Sequence, residues 1–228
     1  MAFAVLRFNF ASPGGVPRVQ GELLAAALEL AQFADNRGVA AVSVDEHHVT
    51  GHGWSCNPVM AAGMLLARTT RMIASIDCAL APLWNPVRMA EDIAMVDAFS
   101  RGRLHTTVGL GYREVEYQGL GVDFGRRGAL MDHALDTMLG AWTGRTGVVS
   151  GTFSTPHPPL YVGGGVRATV RRAVRFGLPL SLPDYRPDLA EYYAELCAEA
   201  GLTPFVIMPA AVNRGMIYLH GTPSGRGP

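Results

Sequence analysis

Short apolar segments recur along the first half of the chain at nearly constant intervals, and this repeat constrains the fold more than any other feature. Four such segments begin at residues 3, 39, 72 and 104, which are 36, 33 and 32 residues apart. Each is followed by a longer segment with helical spacing of its apolar residues. This pattern is typical of consecutive strand–helix units. Because the strands are apolar along their whole length, we expect a parallel sheet that is buried on both faces.

The alternation continues to about residue 208. Strands are predicted at residues 3–8, 39–44, 72–80, 104–108, 160–162, 178–182 and 204–208, and helices at 22–36, 58–68, 86–99, 127–142, 168–176 and 187–200. Proline suits the first turn of a helix and glycine its end, as at Pro58 and Gly177. Residues 216–219 are also strand-like, and the tail 221–228 has no apolar residue to bury and is expected to be disordered. We treat residues 1–228 as one domain.

Seven parallel strands with right-handed crossovers are compatible with two architectures. One is an open, doubly wound α/β sheet. The other is a (β/α)8 barrel of the TIM type, which typically takes about 250 residues. With 228 residues, the chain is short of a complete barrel by about one strand–helix unit.

Composition excludes several classes of protein. Nineteen Lys and Arg residues balance nineteen Asp and Glu residues, and no basic run is present, so a nucleic-acid partner is not expected. The longest apolar region, residues 58–82, is interrupted by Arg68, Arg71 and Asp77, which argues against a membrane span. There is no signal-peptide pattern at the start, and three cysteines in separate units do not form a disulfide framework. We therefore expect a cytoplasmic protein.

Polar and glycine-rich segments follow the predicted strands, where function is located in both architectures. Residues 45–48 read Asp-Glu-His-His after the second strand, and residues 109–112 read Gly-Leu-Gly-Tyr after the fourth. Neighbouring residues on an extended segment point to opposite sides, so only one of His47 and His48 is expected to face the cleft. The other is expected to be a packed histidine bonded to backbone. Trp54, Tyr112 and Trp84 are candidates either for lining an apolar pocket or for the core.

Two further interpretations concern ligands. Gly163, Gly164 and Gly165 precede a helix and so could cradle a phosphate with help from Arg167, or they could simply permit the turn. Glu46 and the nearby histidines, with Asp77 or His105, could in principle bind zinc. The spacing of His48 and His52 suits a metal pair only on a helix, and the glycines around His52 disfavour one. We therefore predict no metal.

Four signatures together resemble the bacterial luciferase-like, flavin-dependent monooxygenase family. They are Glu-His-His at 46–48, Asn-Pro-x-Arg-x-Ala-Glu-Asp at 85–92, Ser-x-Gly-Arg at 100–103 and Gly-x-Gly-Tyr at 109–112. They keep the family's order over about residues 3–142, and Pro-Pro-Leu-Tyr-Val-Gly-Gly-Gly at 158–165 extends the resemblance to about residue 176. The resemblance implies a (β/α)8 barrel, here incomplete or atypically closed at its C-terminal end.

The resemblance also implies roles for individual residues. His47 falls on the family's catalytic histidine, and Glu116 falls where some relatives have a carboxylate near the site. Gly109 replaces a cysteine that is reactive in some relatives, and a non-proline cis peptide bond is expected around residues 77–79. The residues expected to contact the cofactor are Asn9, Glu46, Asp77, Cys78, Ala79, Gly109, Gly111, Tyr112, Gly163, Gly164, Gly165 and Arg167.

The function implied is oxidation of a small organic substrate by reduced FMN and O2, with a flavin reductase as a partner. Three alternatives stay open: hydride transfer with F420, a non-catalytic flavin-binding protein or inactive truncated homologue, and a metal-dependent barrel hydrolase. Because an uncovered barrel edge would expose apolar surface, we also expect a homodimer.

Overall fold

The computed structural model describes residues 5–12, 16–146 and 151–209, in which strands and helices alternate as the sequence predicts. The strands there are β1 (Val5–Phe8), β2 (Ala41–Val44), β3 (Ile73–Ala79), β4 (Leu104–Val108), β5 (Leu160–Gly163), β6 (Leu180–Ser181) and β7 (Val206–Ile207). The helices are α1 (Pro17–Asp35), α2 (Pro58–Arg68), α3 (Pro86–Ser100), α4 (Glu114–Gly119), α5 (Arg127–Trp142), α6 (Arg167–Phe176) and α7 (Pro187–Glu199). Two 3₁₀ turns lie at Ala81–Leu83 and Phe124–Arg126.

All seven described strands form one parallel sheet in the order of the chain. The sheet curls into a half-barrel, which confirms the prediction of an incomplete (β/α)8 barrel. Within the described ranges, β1 pairs only with β2 and β7 only with β6, so these two strands are the edges. The strand-like stretch 216–219 and the tail 221–228 lie outside the described residues. No helix between residues 5 and 209, as far as these are described, has the length and hydropathy that crossing a membrane requires.

The main core lies between the outer face of the sheet and the helices. Its strand residues alternate along each strand, and those from β2 to β5 are Val42, Val44, Ala74, Ile76, Leu104, Val108, Leu160 and Val162. The inner face of the curl is more polar, because Ser43 and Ser75 are paired in register there, as are Asp77 and Thr107. The curl therefore separates an apolar packing face from a face that can meet polar groups.

The main differences from the predicted elements concern α1, α4, β6 and β7, and the other bounds shift by no more than two residues. Helix α1 begins at Pro17, five residues before the expected start, and proline at the first helical position accounts for this. Helix α4 was not predicted, although Glu114 and Glu116 in its first turn favour a helix amino end. Strands β6 and β7 have two residues each, shorter than the predicted segments.

Asp35, the last residue of α1, joins that helix to the start of β3. Its buried carboxylate accepts hydrogen bonds from the backbone amides of Thr70, Arg71 and Met72 at 2.8, 3.1 and 2.8 Å. The Thr70 hydroxyl donates a fourth bond at 3.0 Å. Burial raises the pKa of Asp35, but these hydrogen bonds outweigh it, so its pKa lies below the usual value. One carboxylate thus caps the loop that leads into the third strand.

We expect Asp35→Ala to lower the free energy of unfolding by about 3 kcal/mol, because the Met72 amide, which is buried, and the amides of Thr70 and Arg71 lose their acceptor. Since the folded-state pKa is lowered, this contribution is fully present above the unfolded pKa of about 3.9 and is lost as pH falls through the folded value. Urea unfolding between about pH 7 and about pH 3 should show the difference from wild type shrinking in acid. Asp136→Ala, at an exposed helix position, is the control. A difference that does not change with pH would contradict this role.

Candidate active site

The carboxyl ends of β2 to β5 form a continuous rim that carries most of the predicted site residues. At the β3–β4 junction, the Gly109 amide donates to the Ala79 carbonyl oxygen at 2.8 Å. At the β4–β5 junction, a Cβ on Gly163 would lie 2.6 Å from Thr107 Cγ2 and 3.3 Å from the Val108 carbonyl oxygen. The histidine segment after β2 (residues 46–48) and the glycine turn after β5 (residues 163–165) therefore lie on the same edge of the sheet. Three strand spacings, or about 14 Å measured along the sheet, separate them.

The two predicted catalytic residues are in direct contact. His47 Nδ1 lies 2.9 Å from Oε1 of Glu116, whose side chain is 1% exposed. The same carboxylate oxygen accepts the His48 backbone amide at 3.0 Å and Arg113 Nη1 at 3.1 Å. A buried carboxylate at Nδ1 favours the tautomer with its proton there, which leaves the other ring nitrogen, Nε2, as a proton acceptor. Helix α4 supplies the Glu116 carboxylate that holds His47.

Two aromatic rings flank the imidazole of His47. The Trp54 ring meets it edge-on at 4.9 Å between centroids, and the Tyr112 ring does so at 6.1 Å. The Trp54 indole is itself fixed, because its N–H donates to Asp45 Oδ1 at 2.7 Å. A solvent-open depression of about 200 Å³ lies here, lined by His47, Val49, Thr50, Gly51, His52, Trp54, Tyr112 and Arg113. Trp54 and Tyr112 thus line a pocket, as one of the two sequence interpretations proposed.

Glu46 lies behind this surface with a fully buried side chain. Its carboxylate accepts the Leu80 backbone amide at 2.7 Å, the Trp84 indole N–H at 2.8 Å and His48 Nε2 at 2.6 Å. The bond to Glu46 raises the pKa of His48 above its usual value, against the opposing effect of burial. His48 is thus packed, but its partner is a carboxylate rather than the expected backbone group. Glu46 therefore fixes the segment that follows β3.

Strand β3 is irregular where it reaches the rim. The peptide bond between Asp77 and Cys78 is cis, as expected from the resemblance, and the register with β4 shifts between Asp77 and Ala79. The Asp77 carboxylate accepts the hydroxyls of Ser43, Ser75 and Thr107 at 3.0, 2.9 and 3.1 Å. These bonds connect three neighbouring strands immediately before the bulge.

Cys78 explains why position 109 is glycine. A Cβ built on Gly109 would lie 2.5 Å from Cys78 Sγ, so the thiol already fills the space that a side chain there would need. Burial raises the pKa of the Cys78 thiol to about 12, and the nearby carboxylates of Glu46 and Asp77 add to the shift. The thiol is therefore protonated at neutral pH and is a poor nucleophile.

Two residues of the glycine turn, Gly163 and Gly164, have no room for a side chain. A Cβ on Gly163 would clash with Thr107 as described, and one on Gly164 would lie 2.7 Å from Thr169 Oγ1. Gly164 also has a φ of 142°, which side chains rarely adopt. The interpretation of these glycines as turn residues therefore holds for Gly163 and Gly164.

The third glycine opens onto a second cavity, at the amino end of α6. That cavity measures about 490 Å³ and is lined by Gly165, Val166, Arg167, Arg186, Asp188 and Leu189. No side chain caps α6, so the amides of Arg167 and Ala168 keep their capacity to bind an anion, whereas the Thr169 amide donates to the Val166 carbonyl oxygen at 2.9 Å. The Thr169 side chain is buried and lies against Gly164. Arg167 lies over the Tyr192 ring at 4.1 Å.

Two other candidate residues, Asn9 and His105, have hydrogen-bond partners within the protein. Asn9 is exposed, and its side-chain oxygen accepts the Ala11 amide at 3.0 Å. His105, considered as a metal ligand, has its Nδ1 3.1 Å from the Tyr161 hydroxyl. Across the described ranges, no group of three or more His, Cys, Asp or Glu residues is arranged to hold a metal ion.

The chain is similar to proteins of a known family. A family model described as luciferase-like monooxygenase matches residues 1–212. The chain belongs to the luciferase-like monooxygenase family. The resemblance inferred from the four sequence signatures is therefore confirmed.

Relatives of this luciferase-like chain include flavin enzymes. The oxygenase component of flavin-dependent trigonelline monooxygenase from Acinetobacter baylyi is 26% identical over 159 residues, which cover 64% of this chain and 44% of that protein. Monooxygenase RslO1 from Streptomyces bottropensis has a TM-score of 0.81 at 23% identity, over 91% of this chain and 70% of that chain. The oxygenating constituent of 3,6-diketocamphane monooxygenase from Pseudomonas putida, solved with FMN, has a TM-score of 0.75 at 18% identity, over 90% and 64%. The chain spans about half the length of the curated relatives it matches.

Sequence reasoning missed three groups of this luciferase-like site. Thr169 could have been noticed from its place in the first turn of the helix after the glycines. The bond between Trp54 and Asp45 and the contacts of Arg113 have no local signal, because each depends on how the loops meet.

We expect Gly109→Ala to lower the free energy of unfolding by about 2 kcal/mol, because the new methyl group overlaps the Cys78 thiol. Adding Cys78→Ala should restore much of this loss, since it removes the overlapping sulfur atom. Urea unfolding of the two single variants and the double variant measures the coupling. Gly151→Ala, where a Cβ meets nothing within 4 Å, is the control. Additive effects of the two substitutions would show that the thiol is not what excludes a side chain from position 109.

Proposed function

We propose that this protein is a flavin-dependent monooxygenase that uses reduced FMN and O2 to oxidise a small organic molecule. The main support is the contact between His47 and the buried carboxylate of Glu116, on the same rim as an uncapped helix amino end. A proton acceptor and an anion-binding turn on one rim suit a cofactor with a reactive ring and a phosphate.

The groups around the second cavity fit the phosphate end of FMN. Gly165 and the amides of Arg167 and Ala168 at the start of α6 offer backbone donors, and the hydroxyl of Thr169, which lies against Gly164, offers a donor beside the turn. Arg167 adds a positive charge at the cavity wall. Together these provide amide, hydroxyl and guanidinium donors, which are the groups that proteins use for phosphate.

The rest of the rim, between this cavity and His47, would hold the flavin ring. Gly109 and the bulge at Asp77–Cys78 keep backbone rather than bulky side chains at the middle of the rim. Reduced FMN, when bound, supplies the electrons that activate O2. The chain contributes positioning and proton handling, because His47 Nε2 can accept a proton while Glu116 stabilises the charged imidazole. The Trp54 and Tyr112 rings lie roughly perpendicular to the imidazole of His47, at 4.9 and 6.1 Å between centroids.

Two assembly predictions accompany this function. A separate flavin reductase would supply the reduced cofactor, and a homodimer would cover the edges of the half-barrel. Exposed apolar side chains at both edge strands, Val5 on β1 and Ile207 on β7, support a covering partner.

Replacing His47 with alanine should lower substrate-dependent O2 uptake by about 10²-fold while FMN affinity stays nearly unchanged. Glu116→Gln should lower O2 uptake by about 10-fold, because it weakens the orientation of the same ring. The measurement is O2 consumption with an added FMN reductase, with His133→Ala on the exposed face of α5 as control. Unchanged turnover in His47→Ala would remove this residue from the mechanism.

The same assays on the wild type distinguish the alternative functions. FMN binding without any O2 uptake would identify a flavin carrier, and turnover with reduced F420 alone would identify a hydride-transfer enzyme.

Thr169→Val should weaken FMN binding by about 10-fold, because valine keeps the shape of threonine but loses the hydroxyl donor. Riboflavin, which lacks the phosphate, should bind the variant and the wild type equally. Titrations followed by flavin fluorescence give both affinities. Thr106→Val is the control, since it removes a buried threonine hydroxyl that has no partner in the described chain and belongs to β4. Equal loss of affinity for FMN and riboflavin would place the phosphate elsewhere.

A further inference from the structure

The depression beside His47 has a lining without any negative charge. Its ionisable residues are His47, His52, Tyr112 and Arg113, and no carboxylate is among the lining residues. The chain as a whole is electrically neutral, so this bias is local. A depression lined only by neutral and cationic groups favours an anion over a cation.

Arg113 is held by the protein along only one edge of its guanidinium. Nη1 donates to the His48 carbonyl oxygen at 3.2 Å and to Glu116 Oε1 at 3.1 Å. The N–H groups on Nε and Nη2 have no acceptor among the described residues, and the side chain is 30% exposed. An arginine fixed at one nitrogen and free at two others is prepared to bind a carboxylate through two parallel hydrogen bonds.

The nearby carboxylates do not compete for this free edge. Glu116 is 1% exposed, its Oε1 accepts His47, His48 and Arg113, and its buried Oε2 accepts no hydrogen bond from the free edge of Arg113. Asp45 is 8% exposed and accepts Arg7 and the Trp54 indole. Neither carboxylate is among the residues that line the depression.

We infer that the substrate is a compact organic carboxylate whose acid group binds the free edge of Arg113. This inference rests on the proposed function and names the substrate class for the same site. A depression of about 200 Å³ is smaller than the about 300–1,000 Å³ typical of small-molecule sites, so the part of the substrate that enters it is small. Its apolar part lies against Trp54 and Tyr112, close to His47.

Comparing the binding of organic acids with that of their amides tests this inference and does not require enzymatic turnover. The probes are benzoate and benzamide, cyclohexanecarboxylate and its carboxamide, and pentanoate and pentanamide. Their binding is measured by calorimetry, with and without FMN, on wild type, Arg113→Lys and the exposed control Arg126→Lys. Lysine can keep a charged contact with Glu116 and the His48 carbonyl, but it cannot present the second and third nitrogens.

The expected result is that at least one acid binds wild type about 10-fold or more tightly than its amide. Arg113→Lys should remove most of that preference while amide binding changes little, and Arg126→Lys should behave as wild type. Equal binding of acid and amide in all three pairs would overturn the inference. Equal losses for acid and amide in Arg113→Lys would also overturn it, because they would show a purely structural role. Failure of the proposed function is a separate outcome, seen as no FMN binding by wild type.

Discussion

Two buried carboxylates, Glu46 and Glu116, hold the functional rim together. Each accepts three hydrogen bonds, two of them from other segments of the chain, so the loops after β2, β3 and β4 share their acceptors. Burying a carboxylate is costly, and these donors offset much of that cost by drawing separate loops to common points, with Oε2 of Glu116 left unpaired in the described protein. The position of His47 is therefore a consequence of a network rather than of its own loop. Removing either carboxylate would release one backbone amide and two side chains.

The inner face of the half-barrel connects this network to the sheet. Asp77 joins β2, β3 and β4 through three hydroxyl groups directly before the chain bulges at Cys78. The bulge puts the thiol of Cys78 against Gly109 on the next strand, and the Leu80 amide then reaches Glu46. The irregular end of β3 is thus fixed on both sides of the bulge, by the hydrogen bonds of Asp77 before it and by the Glu46 carboxylate after it. This continuity explains how a short parallel sheet can present a well-defined edge without a closed barrel.

The sequence predicted the scaffold well because its signals are local and periodic. Apolar segments at intervals of about 33 residues, proline at helix starts and glycine at helix ends all act within a few residues. The pairing of His47 with Glu116 could be expected only through the family resemblance, because 69 residues separate them. The Glu46 partner of His48 was not foreseen, since a packed histidine can satisfy itself in many ways. The glycine turn at residues 163–165 shows the same limit. Thr107 and Thr169 leave no room for a side chain at Gly163 and Gly164, whereas Gly165 lines the cavity, and only the structure shows this difference.

The polar groups that the fold leaves unsatisfied indicate where ligands belong. Native proteins pair nearly all of their buried polar atoms, so each exception needs a physical reason. Among the described residues, the buried side-chain atoms without a partner are Thr106 Oγ1 and Glu116 Oε2, and Glu116 belongs to the rim. The less buried groups Nε2 of His47 and the free edge of Arg113 line the depression and have no hydrogen bond within the described protein, so a ligand can bind them without breaking one. Pre-organisation of this kind lowers the cost of binding, because the protein does not have to rearrange when the ligand arrives.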